Sequence, residues 1–152
     1  MPNVTLARAL KTKSRLASRL KELQEFIVKY NSMLEGSERA ASVTEAYETY
    51  KMHALLLAQV KAAIQVANAP IQTKIFELSE LRNQKVFLQR LPTTNGPANI
   101  GYTGEIAQHE AELKGAFVNE ELKVIVKRLE ELQDEIDEFN AKTTLQLPEI
   151  PD

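Results

Sequence analysis

Apolar side chains recur between residues 118 and 143 in alternating steps of four and three: Val118, Leu122, Ile125, Leu129, Leu132, Ile136 and Phe139. Most positions between them are charged. That spacing puts one dry stripe on a helix, in the 3.5-residue register that suits helix-on-helix packing. The same pattern runs through residues 4–34 as Leu6, Ala9, Lys13, Leu16, Leu20, Leu23, Ile27, Tyr30 and Leu34, with Lys13 the only polar entrant. Gly36 follows, where a glycine is expected to end a helix. After a short polar loop, Ser42 and Glu45 have capping-box spacing and predict a second helix over residues 42–69. Its seam is Val43, Tyr47, Tyr50, Ala54, Leu57 and Ile64, interrupted by Lys61. The loop is of the length that reverses direction, so the first two helices are expected to form an antiparallel hairpin. The run from residue 54 to 69 is rich in alanine, which would let a neighbouring helix approach closely.

Pro70 removes a backbone donor and disfavours helical geometry at Ala69. With Asn68 available as a cap, the reading favoured is a break and a third helix over residues 71–91, carrying Ile71, Ile75, Leu78, Leu81, Leu88 and Leu91; one kinked helix is the alternative. Residues 92–104, PTTNGPANIGYTG, are dense in turn formers and read as a loop or hairpin. Residues 105–113 fit neither period. The last helix is expected over residues 118–143 with Asn119 as its cap. Pro148 and Pro151 make residues 145–152 an extended tail, of a kind that frays unless contacts, such as those with a partner, tie it down. These elements predict a mainly α fold: an antiparallel helical bundle or coiled coil, one domain over residues 1–144.

Composition narrows the chemistry. The 152-residue chain has no cysteine, which excludes disulfides, thiolate metal sites and cysteine nucleophiles. No N-terminal apolar core with a cleavage site is recognisable, and no uncharged apolar run of about 20 residues. The Asn3-Val4-Thr5 sequon is read as chance. A cytoplasmic or virion location is the expectation.

The net charge of −2 does not suggest a nucleic-acid binder, but its distribution is uneven. Residues 1–34 carry seven cations against two carboxylates, a net +5. Residues 118–140 carry three cations against eight carboxylates, a net −5. Arg15 and Arg19 on the first helix, with Glu131 and Glu135 on the last, are therefore candidates for charge pairing within or between chains. The helix-packing candidates are Leu16, Leu20, Leu23 and Ile27 on one side and Leu122, Ile125, Leu129, Leu132, Ile136 and Phe139 on the other. Lys13, Lys61 and Asn68 are polar entrants that could set register.

No catalytic, cofactor or metal site is expected. His53 and His109 have no second histidine at helical spacing, and no inward Glu with Glu-x-x-His is present. Gly96, Gly101 and Gly104 lack the Gly-Lys-Ser/Thr of a phosphate loop.

LARALKTKSRLASRLKELQ, Asn31, Glu35-Gly36, IQVANA with Asn68 and the closing LEELQDEIDEFN together resemble the septicolysin-like family of small bacterial helical proteins. The resemblance covers nearly the whole chain. It implies a mostly helical fold, a small β-hairpin near residues 100–113 and, from the family's name, a membrane-damaging activity. Two functional readings follow. In the first, the chain is a non-enzymatic self-association or scaffold protein, a homo-oligomer or part of a larger particle such as a phage virion. In the second, it is a membrane-active cytolysin that meets anionic lipid through its basic first helix.

Overall fold

The computed structural model describes residues 2–151. The chain is mainly helical, with two small two-stranded antiparallel sheets. It divides into two compact units, residues 2–70 with 137–151 and Ile71–Ile136, where the sequence pattern suggested one domain over residues 1–144. The seam repeats across both boundaries without a change of composition, so nothing in the pattern marks them.

The first unit holds β1 (Asn3–Thr5), α1 (Leu6–Tyr30), α2 (Val43–Asn68) and β4 (Thr144–Gln146), with the end of α4 (Gly115–Lys142). Helix α1 begins two residues later than expected because Thr5 caps it: the Arg8 N–H donates to Thr5 Oγ1 at 3.2 Å. It ends at Tyr30 rather than at Leu34. The Asn31 N–H closes the last turn on the Ile27 carbonyl at 2.9 Å. The Arg39 guanidinium then reaches back to the Tyr30 and Asn31 carbonyls and satisfies the helix end. Leu34 is left in the loop and exposed. Gly36, with φ of +82°, turns that loop instead of stopping the helix.

Ser42 caps α2 by accepting from the Glu45 N–H at 3.2 Å. Helix α2 runs back along α1, and Gln24 hydrogen-bonds the Tyr50 hydroxyl near the loop end. Leu6, Ala9 and Leu16 of α1 meet Leu57, Val60 and Ile64 of α2 in the core. Val60 is fully buried and Lys61 exposed, so the α2 stripe steps from 57 to 60 to 64 and passes the lysine by.

The tail is tied into the same unit. Asn3, Val4 and Thr5 pair with Gln146, Leu145 and Thr144. The Leu6 N–H donates to the Thr143 carbonyl at 2.8 Å, and the Leu147 N–H to the Pro2 carbonyl at 3.2 Å. Leu147 is buried in the core cluster. The extended tail is thus held by the chain's own N-terminus, and it needs no partner to order it.

The second unit holds α3 (Gln72–Arg90), the hairpin of β2 (Gly96–Ile100) and β3 (Glu105–His109), and most of α4. No loop separates α2 from α3: a single 3-10 turn, Ala69–Ile71, joins them at Pro70. The expected break is thus present as that one turn, and the third helix spans Gln72–Arg90 where residues 71–91 were expected. Leu57, Ile64, Ile71 and Leu78 keep strict seven-residue spacing through the proline, and all four are buried. Asn68 is the last residue of α2 and caps nothing; α3 begins without a side-chain cap.

The hairpin sits earlier than residues 100–113. Gly101 and Gly104, both in the left-handed region, turn the chain at residues 101–104, so the strands lie on either side of that turn. Helix α4 starts at Gly115, a turn before Asn119, because the Lys114 carbonyl already accepts the Val118 N–H at 3.0 Å.

Candidate functional site

The described side chains offer little for catalysis. No group of three or more His, Asp or Glu is placed to hold a metal ion among the described residues. His53 Nδ1 donates to the Thr49 carbonyl at 2.9 Å, one turn back on its own helix. His109 Nδ1 donates to the Ala107 carbonyl at 3.1 Å. In each ring Nδ1 is engaged by a nearby backbone carbonyl. A cavity of about 790 Å³ opens beside the α1–α2 loop, lined by Ile27, Asn31, Arg39, Ser42, Val43 and Tyr47 among others. Its charged group, Arg39, is already used to end α1. The helix surfaces named by the sequence are those of α1 and α4.

The packing residues read from the sequence all lie on protected faces. Leu16 and Leu23 are buried, and Leu20 and Ile27 half-buried. Ile125, Leu132 and Ile136 are buried; Leu122, Leu129 and Phe139 are half-buried. Leu132 has no exposed surface at all. Phe139 packs on the core of the first unit.

The charged candidates find nearby partners. Arg19 bonds Glu22 at 3.3 Å, one turn along α1. Glu131 lies 3.6 Å from Arg128, one turn along α4. Glu135 meets Lys74 of α3 at 2.7 Å. Each pairing lies inside its own unit, since i,i+3 spacing and a facing helix bring these groups together at small cost in side-chain freedom. Arg15 is exposed and has no carboxylate in ion-pair range among the described residues.

One pair was not legible in the pattern. Arg128 forks onto both oxygens of Glu77, Nε to Oε1 at 2.9 Å and Nη2 to Oε2 at 3.1 Å. This bidentate bond joins α3 to α4. It holds the Glu77 carboxyl below the usual glutamate range, and it raises the Arg128 guanidinium further. The only signal in the sequence was two opposite charges 51 residues apart, which many pairs share.

Large apolar side chains stand exposed on several elements: Leu55 and Val66 on α2, Phe76 and Phe87 on α3, Phe117 and Val124 on α4, and Tyr102 and Ile106 at the hairpin. The helical stretch Val43–Arg90 is long and apolar enough, by length and composition, to cross a membrane, and most of it is exposed. Helix α2 accounts for this, because its alanine-rich run carries few charges.

No family model matches the chain, and no characterised protein matches it in sequence. A solved structure does: a functionally unknown conserved protein from Corynebacterium diphtheriae, 15% identical, with a TM-score of 0.81 over 95% of this chain and all of that one. At that identity the likeness is one of fold.

Proposed function

We propose that this chain works by self-association, as a non-enzymatic helical subunit of a homo-oligomer or a larger particle, of which a phage virion is one form. The observation that carries the reading is the number of large apolar side chains left in water within each unit: Val28 on α1, Leu55 and Val66 on α2, Phe76 and Phe87 on α3, and Val124 on α4. A solitary chain leaves such side chains in water at a cost, and clusters of them mark surfaces that meet a partner.

In the assembled form the helices pair as an antiparallel coiled coil, within and between copies. Arg15 and the other unpaired cations of α1 face the acidic flank of α4 in a neighbouring copy, which sets partner choice and salt sensitivity. Light scattering coupled to size exclusion tests the reading at micromolar concentration. A mass at least twice that of one chain is expected; a single chain at every concentration overturns it.

The second reading is membrane activity of the kind that the septicolysin-like resemblance implies. It draws support from the apolar, exposed stretch Val43–Arg90 together with the basic α1. Release of a trapped dye from anionic vesicles by wild-type protein favours it; intact vesicles across the acid-to-neutral range remove it.

A further inference from the structure

Arg15 and Arg19 stand one turn apart on α1, so their side chains are neighbours on one flank of the helix. Beside them a cleft of about 590 Å³ opens, with Leu16 at its base. Thr49, Met52 and His53 of α2 form the opposite wall, and Ile150 and Pro151 of the tail close one side. All of these residues belong to the first unit. The frame is fixed: Leu16 lies in the core cluster, Ile150 packs against it, and Leu147 buries the tail just before that point.

The cleft is cationic, and its charge is not matched. No carboxylate lines it among the described residues. Arg15 has no carboxylate in ion-pair range among them. Arg19 gives Nη1 to Glu22 at 3.3 Å, but both side chains are more than half exposed, so the pair holds weakly and most of the guanidinium's N–H donors stay available. His53 Nδ1 is tied to the Thr49 carbonyl, which leaves Nε2 as the ring nitrogen without a partner among the described residues. The Thr49 hydroxyl adds a further donor. The larger cavity beside the α1–α2 loop differs, because its charged group, Arg39, already ends α1.

We propose that this cleft binds a phosphate monoester with an apolar body. A guanidinium fork matches two phosphate oxygens at once, and two neighbouring forks suit a dianion better than a single carboxylate. His53 Nε2 accepts from a protonated phosphate oxygen or, as an imidazolium, donates to an ionised one. Leu16, Met52, Ile150 and Pro151 offer the apolar body a surface, and the volume lies in the range of small-molecule clefts. The proposal goes beyond the self-association reading, which gives Arg15 to a neighbouring copy; a monoester seated here takes that cation itself. The same chemistry reaches the protein as a free small molecule or as the headgroup of phosphatidic acid.

Hexyl phosphate, inorganic phosphate and hexanoate, each titrated at low salt into the full chain labelled with nitrogen-15, test the site. Hexyl phosphate is expected to saturate a single site, with amide shifts centred on Arg15, Arg19, Thr49 and His53, and to bind at least about tenfold more tightly than either of the others. Arg15→Gln and Arg19→Gln each weaken it by about tenfold or more, and Arg15→Lys, which keeps the charge and loses the fork, by less. Met52→Glu sets a carboxylate in the cleft and abolishes binding. The three positions are exposed, so circular dichroism is expected to be unchanged in every variant. Shifts spread over the basic residues of both units, or a titration that Arg15→Gln leaves as it was, overturn the proposal.

Vesicles of phosphatidic acid in phosphatidylcholine separate the two sources. If hexyl phosphate binds and the vesicles also bind through Arg15, the ligand is the lipid headgroup; if hexyl phosphate binds and the vesicles do not, it is a free monoester. Vesicle binding without hexyl phosphate binding is attraction to a charged surface and overturns the proposal. Light scattering on the same samples keeps self-association apart. A single chain that binds hexyl phosphate upholds this site and removes that reading, whereas an oligomer indifferent to hexyl phosphate does the reverse.

Discussion

Helix α2 turns Leu57, Val60 and Ile64 to α1, and a pair of substitutions tests that face. Val60 is fully buried in the core and Lys61 beside it is exposed. Val60→Ala removes two methyl groups from an apolar environment, about 1.6 kcal/mol of transfer energy. The space left behind adds about 1 kcal/mol, because the surroundings collapse only in part. Alanine's better helix propensity returns about 0.5 kcal/mol. The net loss is about 2 kcal/mol. For a chain of this length it lowers the melting temperature by about 4–8 °C, and at a typical urea dependence it lowers the midpoint by about 1 M. Lys61→Ala changes stability by no more than about 0.5 kcal/mol. Far-ultraviolet circular dichroism in urea measures both at one protein concentration, since assembly would shift the midpoints. If Lys61→Ala cost about 2 kcal/mol and Val60→Ala nothing, α2 would be rotated by a residue from the arrangement described.

Three further outcomes are expected. The carboxyl carbon of Glu77, followed by NMR, titrates below the ordinary glutamate value of 4.5, and in Arg128→Leu it returns to that range. The bond contributes stability above the unfolded-state value and loses it as pH falls through the lowered folded one. The stability gap between wild type and Arg128→Leu is therefore open at neutral pH and closes in acid; a gap that widened in acid would refute the assignment. Gly104→Ala strains a residue held at φ of +72° and costs about 1–2 kcal/mol at the hairpin, although open space surrounds the position. Hydrogen exchange is expected to quicken in β2 and β3 and to stay unchanged in α1. Leu147→Ala empties a core position 3% exposed and costs about 2–5 kcal/mol; a loss under about 0.5 kcal/mol would show that the tail is not part of the core.

The helices were legible because their apolar positions repeat over several turns, and the repeat survives local irregularity. Leu57, Ile64, Ile71 and Leu78 show this across Pro70: the proline interrupts the α-helix with a 3-10 turn, as its missing donor suggested, while the buried positions keep their spacing. Helix ends were less legible where a group outside the apolar pattern decides them, whereas Ser42 caps α2 as its spacing to Glu45 predicted. Arg39, nine residues beyond Tyr30, ends α1 before the apolar pattern runs out at Leu34. The pairing of β1 with β4 left no readable trace. Each strand has three residues, and the partners are about 140 positions apart in sequence.

The candidate interface was half legible, for a physical reason. A seam position reports that a side chain is to be kept from water and not which chain keeps it so. On α1 and α4 one stripe stands against a charged background, and the seam and the protected face coincide. On α2 two stripes are written into one alanine-rich run, so the sequence shows only a helix that is apolar on most sides. The sequence reading assigned Lys61 to the seam because a strict count from Leu57 lands there. The structure resolves the run into a covered stripe through Val60 and an open one through Leu55 and Val66. Interfaces between proteins are about as apolar as the surface around them, so composition alone could not have separated the two.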